Sequence, residues 1–383
     1  MDAFLPGGHI WWKGLLLAGV LLAFSACVKS EKEQKLDLAG ALVSSNLFSD
    51  EQIRKDFVNL TVTPFQREEL AFSMLVPNGW RDNPLQVPAE IIKNATAACV
   101  PLSEQLAPED QPGHARIEVR YTKLDLVVRL PDWVEQFISS AGYTLLRHRH
   151  AVFNGRVVED NLVRVVKGGK SYIARMTFSK HGERIFLVSA SAEEGYFNRY
   201  ARIFGAAVVS FTPRQGSASE FAEPMKVYVN PGPPALEFRY PASWKVKEPD
   251  ELPPGKTGVD LFLSSAGKVV GYLHVKAIAK SSKEFPQLIK AKVLDDFKSA
   301  GVKPVVKSRT LELAGSATDR VDVWDIVSGG VHGELAVTVL GGNSGYVALG
   351  MMMPIRKQNP WAWMTAWRVF EIVYHDCRKL LDR

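Results

Sequence analysis

The apolar and polar positions of this chain fall into one pattern written twice. Ala71-Phe72-Ser73-Met74-Leu75-Val76-Pro77-Asn78-Gly79-Trp80 aligns without a gap on Ala235-Leu236-Glu237-Phe238-Arg239-Tyr240-Pro241-Ala242-Ser243-Trp244. In both copies an alternating strand runs into a Pro-x-x-Trp turn. Downstream, Arg116-Ile117-Glu118-Val119 matches Tyr272-Leu273-His274-Val275. A helix closed by Ser-Ala-Gly follows in each, at Ser140-Ala141-Gly142 and Ser299-Ala300-Gly301. Arg202-Ile203-Phe204 then matches Arg368-Val369-Phe370. A shared order of parts over this distance is a duplication, and it settles the architecture before any motif is weighed.

Within each copy the spacing predicts strand, variable loop, strand, helix, three or four strands, helix. Pro131 opens the first helix, Trp133, Val134, Phe137, Ile138 and Ala141 form its apolar stripe, and Gly142 ends it. Phe285, Ile289, Val293 and Phe297 mark its counterpart. Alternating segments such as Leu162-Val163-Arg164-Val165 and Leu335-Ala336-Val337-Thr338-Val339 read as neighbouring strands on short turns, hence an antiparallel sheet. Asn359 caps a last helix begun by Pro360, with Trp363, Trp367, Phe370 and Tyr374 on one face and Trp361 on another. The fold class expected is α+β, two tandem α-β-α sandwiches, each an antiparallel sheet flanked by helices.

The copies are expected to occupy 57–215 and 235–383, with 216–234 as a Pro- and Gly-rich linker holding one strand-like segment, Lys226-Val227-Tyr228-Val229. Before them stand a signal peptide over 1–26 and a tether and lead over 27–56. Lys13 precedes an apolar run from Gly14 to Phe24, too short for the roughly 20 residues a spanning helix needs, so a secretory segment fits better. Ser25-Ala26-Cys27 resembles the bacterial lipobox, which implies that Cys27 is acylated and becomes the lipid anchor. Val28 stands where an inner-membrane retention signal would put Asp, so the outer membrane is favoured on the periplasmic side of the envelope. Lys29 to Lys35 carries no apolar residue and reads as tether.

The order of parts, with Pro77, Trp80, Pro241 and Trp244 carrying it, resembles the PsbP/DcrB-like α-β-α sandwich. That resemblance implies a binding or assembly module, and it transfers no catalytic residue.

Composition adds little: 383 residues, 46% hydrophobic and 23% charged, are ordinary for globular chains and exclude collagen-like, disordered and disulfide-scaffold classes. Charge changes the picture more. Residues 226–383 hold 22 basic and 16 acidic side chains, which is the whole excess of +6. Nine of those basic residues lie between Lys276 and Arg309, against Glu284, Asp295 and Asp296. Lys290, Lys292 and Lys298 are therefore candidates for a basic docking face. A secreted chain with no recognition module has little use for nucleic acid, so an anionic envelope surface or another envelope protein is the expected partner, with the membrane itself reached through the lipid. Trp361 is the candidate aromatic anchor.

No catalytic residue is assigned. His375-Asp376-Cys377 has the residue types of a nucleophile set, yet adjacent helical side chains diverge by about 100° and share no proton path. Met351 and Met353 read as core. His148 and His150 share a strand face, but no Cys or carboxylate stands close by in sequence, so they read as a solvated face and no metal or cofactor is expected. Cys99 and Cys377 are expected to stay unpaired. The function expected is that of a non-enzymatic lipoprotein that binds or stabilises a membrane-associated envelope complex. The alternative is a ligand-binding or hydrolytic envelope protein that uses the Pro-rich loop from Arg81 to His114, which is longer than its Val246–Lys268 counterpart and reads as a covering flap.

Overall fold

The computed structural model describes residues 36–382 apart from 46, 89, 92–98, 217–218, 233, 249–253, 281–284 and 314–319. Cys27 and the signal segment lie outside the described residues. Residues Gln34–Arg383 form one compact unit.

The first half opens with α1 (Asp50–Asp56), held by a capping box in which Ser49 and Gln52 satisfy each other's backbone N–H groups. Strands β1 (Phe57–Val62) and β2 (Phe72–Pro77) pair antiparallel. The main sheet is built from β3 (Arg81–Asp82), β4 (Val100–Leu106), β5 (Arg116–Lys123), β6 (Thr144–Phe153), β7 (Arg156–Lys167), β8 (Lys170–His181) and β9 (Arg184–Glu193), all antiparallel, in the order β3-β4-β5-β9-β8-β7-β6. Helix α2 (Leu130–Ser140) carries the chain from β5 in the middle to β6 at the edge. Helix α3 (Phe197–Ser210) follows β9, and β10 (Thr212–Pro213) joins β2. The hairpins are short where the residues allow it: Asn154 and Gly155 both take positive φ between β6 and β7, the geometry of a type I′ turn that matches the strand twist.

The second half repeats the plan. Strands β11 (Met225–Asn230) and β12 (Leu236–Pro241) form a ribbon. The second main sheet comprises β13 (Lys245–Lys247), β14 (Lys256–Ser265), β15 (Lys268–Ala279), β16 (Val302–Glu312), β17 (Arg320–Ser328), β18 (Val331–Gly341) and β19 (Gly345–Pro354), ordered β13-β14-β15-β19-β18-β17-β16. Helices α4 (Pro286–Ser299) and α5 (Pro360–Leu381) flank it. Tandem antiparallel sheets with flanking helices are thus the fold that the alternation implied.

Two details differ from the sequence reading. The described residues of 216–234 include a paired strand: β11 pairs with β12 along its length, and Phe221 and Tyr228 are buried, Tyr228 stacked on Phe238 at 5.2 Å between ring centroids. Prolines flank this strand without interrupting it, so its N–H groups remain free to pair. The Arg81–His114 loop also contains a strand of the main sheet, because β4 turns Val100 and Leu102 inward and pairs with β5. Pro101 is accommodated because its end of β4 has no second neighbour: β3 pairs only with Gln105 and Leu106.

Three buried clusters hold the molecule. One lies between the first sheet and α3, around Phe72, Ile117, Phe186, Phe197 and Phe204. Another lies under α4, around Ile289, Val293 and Phe297. The largest runs unbroken from α2, through Trp133, Val134 and Phe178, into the α5 side of the second sheet, through Trp244, Met351, Met353, Trp367, Phe370 and Tyr374. The inner face of the last helix therefore serves the core that both repeats share.

Candidate functional site

Beside α2, the first sheet leaves a recess of about 440 Å³. Strand alternation places its wall. Arg116, Glu118 and Arg120 project from one face of β5, while Leu187, Ser189 and Ser191 stand opposite them on β9 in register. Phe137 from the end of α2, Tyr143, Val165, Tyr172 and Met176 make the apolar side. Lys167, Lys170 and His114 stand at the rim. Among the described residues, only Leu106 and His114 come from the long loop.

The charges are arranged in pairs. Arg120 Nε meets Glu118 Oε1 at 2.8 Å, and Arg116 donates to Ser191 Oγ at 3.2 Å and faces Glu104 at 3.4 Å. Burial works against the Arg120 charge, but the hydrogen bond and charge of Glu118 outweigh it and hold the guanidinium above its ordinary pKa. At the rim, Glu193 takes both Lys170 at 2.6 Å and His114 at 2.9 Å, and these contacts draw its carboxyl below the ordinary range. Four permanent cations against one carboxylate line the recess itself, with Glu104 and Glu193 behind them. The result is an apolar floor under a predominantly cationic rim.

The second repeat closes the equivalent space. Its β15–β19 register sets Tyr272 against Met352 and His274 against Gly350, where the first repeat sets Arg116 against Ser191 and Glu118 against Ser189. Phe297 of α4 lies directly over Gly350: a Cβ there would stand 2.5 Å from the Phe297 ring. The first repeat has Ile138 at the position of Phe297. Tyr272 packs against Phe297 and Phe262 at 5.7 and 5.1 Å between ring centroids and donates its hydroxyl to Asp260 at 3.0 Å. One copy of the duplicated scaffold is filled with aromatic rings and the other is open.

A second polar cluster lies between the repeats, around a groove of about 990 Å³. Arg129 at the start of α2 bonds Glu371 of α5 at 2.6 Å and Asp132 at 2.9 Å. Arg356 reaches Asp132 at 3.2 Å and Glu135 at 2.7 Å and lies over the Trp363 ring at 4.6 Å. Trp363 Nε1 donates to Glu334, which also holds Arg309. Burial pushes the Asp132 carboxyl up in spite of its two arginines. These groups are committed to one another, which makes the groove a fastening between the repeats.

The residues singled out in the sequence are placed as follows. Lys290 and Lys307 share Asp322 at 2.8 and 2.7 Å, Lys298 bonds Asp295 at 2.9 Å, and Lys276 bonds Asp296 at 3.0 Å, so the basic face is largely neutralised. Asp322 lies on β17, outside the 276–309 window in which the excess was counted, and cross-strand geometry brings it in. Lys292 is exposed. Trp361 keeps 47% of its surface exposed, while Trp363 and Trp367 are buried. Met351 and Met353 are core. His375, Asp376 and Cys377 do not converge: Asp376 is held by the Arg239 side chain and backbone, and Cys377 is fully buried, its thiol pushed up. Cys99 and Cys377 are both free thiols.

The expectation of a solvated face at His148 and His150 needs correction. Glu159, 2% exposed, sits between them: its two oxygens meet His148 Nε2 at 2.7 Å and His150 Nδ1 at 2.9 Å. The carboxylate comes from the next strand, where β6–β7 pairing sets His150 opposite Glu159. Its nearness was encoded in the Asn154–Gly155 hairpin, from which the register follows.

No helix among the described residues is long and apolar enough to cross a membrane. No protein-family model matches the chain, and no curated protein matches it by sequence. Among solved structures, it is similar to cyanobacterial PsbP (CyanoP) from Synechocystis sp. PCC 6803, at 13% identity over 41% of this chain and 92% of that one, with a TM-score of 0.32. LpqN of Mycobacterium tuberculosis, described as involved in cell envelope biogenesis, is similar at 14% identity over 43% of this chain and 96% of its own, with a TM-score of 0.29. The immunity protein TplEi of T6SS from Pseudomonas aeruginosa shows 11% identity over 77% of this chain and 96% of its own, with a TM-score of 0.22. These are distant likenesses of fold, and no function passes through them to this chain.

Proposed function

We propose that this chain is a non-enzymatic binding protein of the cell envelope, held on the periplasmic side by a lipid on Cys27, with the outer membrane as the favoured site. Its ligand site is the recess of the first repeat, which suits a small amphiphile with an apolar body and an anionic group. The observation that supports this reading is the difference between the repeats: the same scaffold is plugged by Phe297, Tyr272 and Met352 in one copy and open under a cationic rim in the other. An apolar pocket with a few convergent polar groups is the usual form of a small-molecule site.

Calorimetric titration with decanoate, using decanol as the uncharged counterpart, tests it. Binding of decanoate that is stronger than that of decanol, and that is lost in Ser191→Met, is the expected result, since Met fills the position as Met352 does in the second repeat. Equal binding by wild type and the filled variant would place the ligand elsewhere.

A second reading, docking to an envelope protein or an anionic surface, is supported by the exposed Trp361. A membrane pull-down in which Trp361→Ala loses a partner retained by wild type would favour it.

A further inference from the structure

We infer that His148, His150 and Glu159 form a binding site for a divalent transition-metal ion of the zinc class. The three residues do not line the recess, although Met176 of the recess wall is paired with Asn161 in the same row of the sheet. The ligand atoms, one from each residue, all lie within 4.8 Å of one another. Two imidazole nitrogens and a carboxylate oxygen are the donor types zinc takes, at about 2.0–2.2 Å, with solvent in the remaining position of an open site. A tetrahedral shell of that radius separates its ligands by about 3.4 Å, so modest side-chain rotation closes the set.

The fold positions the three with little freedom left to lose. His148 and His150 are alternate residues of β6 and share a face, their rings nearly perpendicular at 87° with centroids 4.8 Å apart. Glu159 stands opposite His150 in the strand register and is almost completely buried, so its carboxylate is fixed. Both of its oxygens are already directed at the imidazole nitrogens, and a metal ion would take the place of the protons in those two contacts. Strand β6 is the edge of the sheet, and the His150 side chain is 64% exposed, which leaves an entry path and room for water.

A second observation points the same way. Asn161 lies opposite His148, two residues from Glu159 on the same strand face, and is 1% exposed. Its amide nitrogen has no hydrogen-bond partner among the described residues. A buried amide without a partner is costly and uncommon, and a metal-bound water beside Glu159 would give this amide something to bond. Arg129 interacts electrostatically with Glu159 and raises the cost of a cation there, but it is bound to Glu371 and Asp132.

The test uses the full chain, stripped with a chelator and dialysed against zinc, with cobalt(II) as a spectroscopic probe of coordination. Retention of one zinc per chain and a visible cobalt spectrum of low-symmetry coordination are expected. His150→Ala should weaken zinc binding by well over about tenfold, since changes even outside the ligand set cost 10–100-fold. The double variant His148→Ala, His150→Ala should abolish binding, and Glu159→Gln should lower the affinity while keeping the shape of the site. His150 is exposed, so its replacement leaves folding nearly untouched and the reading remains clear. Zinc bound equally by wild type and the double variant, or no zinc retained by wild type, overturns the proposal.

Discussion

Glu371 of the last helix bonds Arg129 at 2.6 Å across 242 residues of chain, and the pair is closed on either side by Asp132 and Arg368. The relationship fastens the second repeat to the first at the start of α2. Beneath it, the shared apolar cluster continues from Trp133 to Trp367. Neither repeat has a complete surface at this place without the other.

This join should be visible as cooperativity. We expect a single calorimetric transition for residues 36–383, and a loss of about 1–3 kcal/mol in Glu371→Gln. That is less than the 3–5 kcal/mol seen when a fully buried pair is broken, because the Arg129 side chain keeps 32% exposure. Two well-separated transitions in the wild-type protein would show that the repeats unfold independently.

His181 makes the protein acid-sensitive. Burial, together with Arg156 and Arg184, holds its imidazole down to about 4 from 6.5, so in this interval the unfolded chain binds a proton that the folded chain refuses. Stability should accordingly fall as pH drops from 6.5 toward 4, by at most about 3 kcal/mol at 1.36 kcal/mol per unit. Urea unfolding at pH 7 and 4.5 should show a smaller drop in His181→Phe, which keeps a ring against Phe186. An equal drop in both proteins would assign the acid sensitivity to other groups.

Lys180 acts at the opposite end of the scale. Burial, with Arg368 nearby, lowers its ammonium to about 8 from 10.5, and its amine donates to the Val128 carbonyl at 3.1 Å. Between these values the unfolded chain again holds the extra proton, so this group makes folding more favourable as pH rises from 8. The stability difference between Lys180→Met and wild type should shift in favour of wild type from pH 7 to pH 9. A difference that stays constant would mean the lysine is solvated.

Cys99 should resist alkylation in the folded protein. Burial pushes its thiol up to about 12, leaving almost no thiolate at neutral pH, and Cys377 is fully enclosed. Iodoacetamide should label both only after denaturation, and non-reducing peptide mapping should find no linkage between them. Rapid labelling of Cys99 in the native state would contradict its burial.

Replacing Cys27 with Ala should release the protein from the membrane fraction and remove metabolic palmitate labelling, since the acyl chains supply most of the binding free energy. Labelling that persists in the variant would rule out this cysteine as the acylation site.

The duplication, the helices inside the two copies and the Pro-x-x-Trp turns were legible in the sequence because each rests on local spacing: Pro131 and Gly142 bracket α2, and Asn359 accepts from Ala362 N at 3.2 Å as a cap should. What was hidden depends on register between strands. Asp322 neutralising Lys290 and Lys307, and Glu159 completing the His148–His150 pair, both come from a neighbouring strand and become visible only when the hairpin register is worked out. The open recess was hidden for a related reason. That Ser189 and Ser191 leave a space while Gly350 receives a phenylalanine follows only once both sheets and their helices are superposed in thought. The strand at 225–230 was legible from its alternation, but its pairing with β12 was not, because the flanking prolines and glycines read as linker.

The shared core also has a bearing on how the molecule is made. Trp133 and Val134 of α2, with Leu124 and Val127, belong to a buried cluster that is completed by elements more than two hundred positions later. During synthesis, the part of this cluster that borders α5 stays uncovered until α5 arrives. That interval is when a nascent chain is most exposed to wrong partners, so the demand this fold places on escorting chaperones is concentrated on one face of its earlier half.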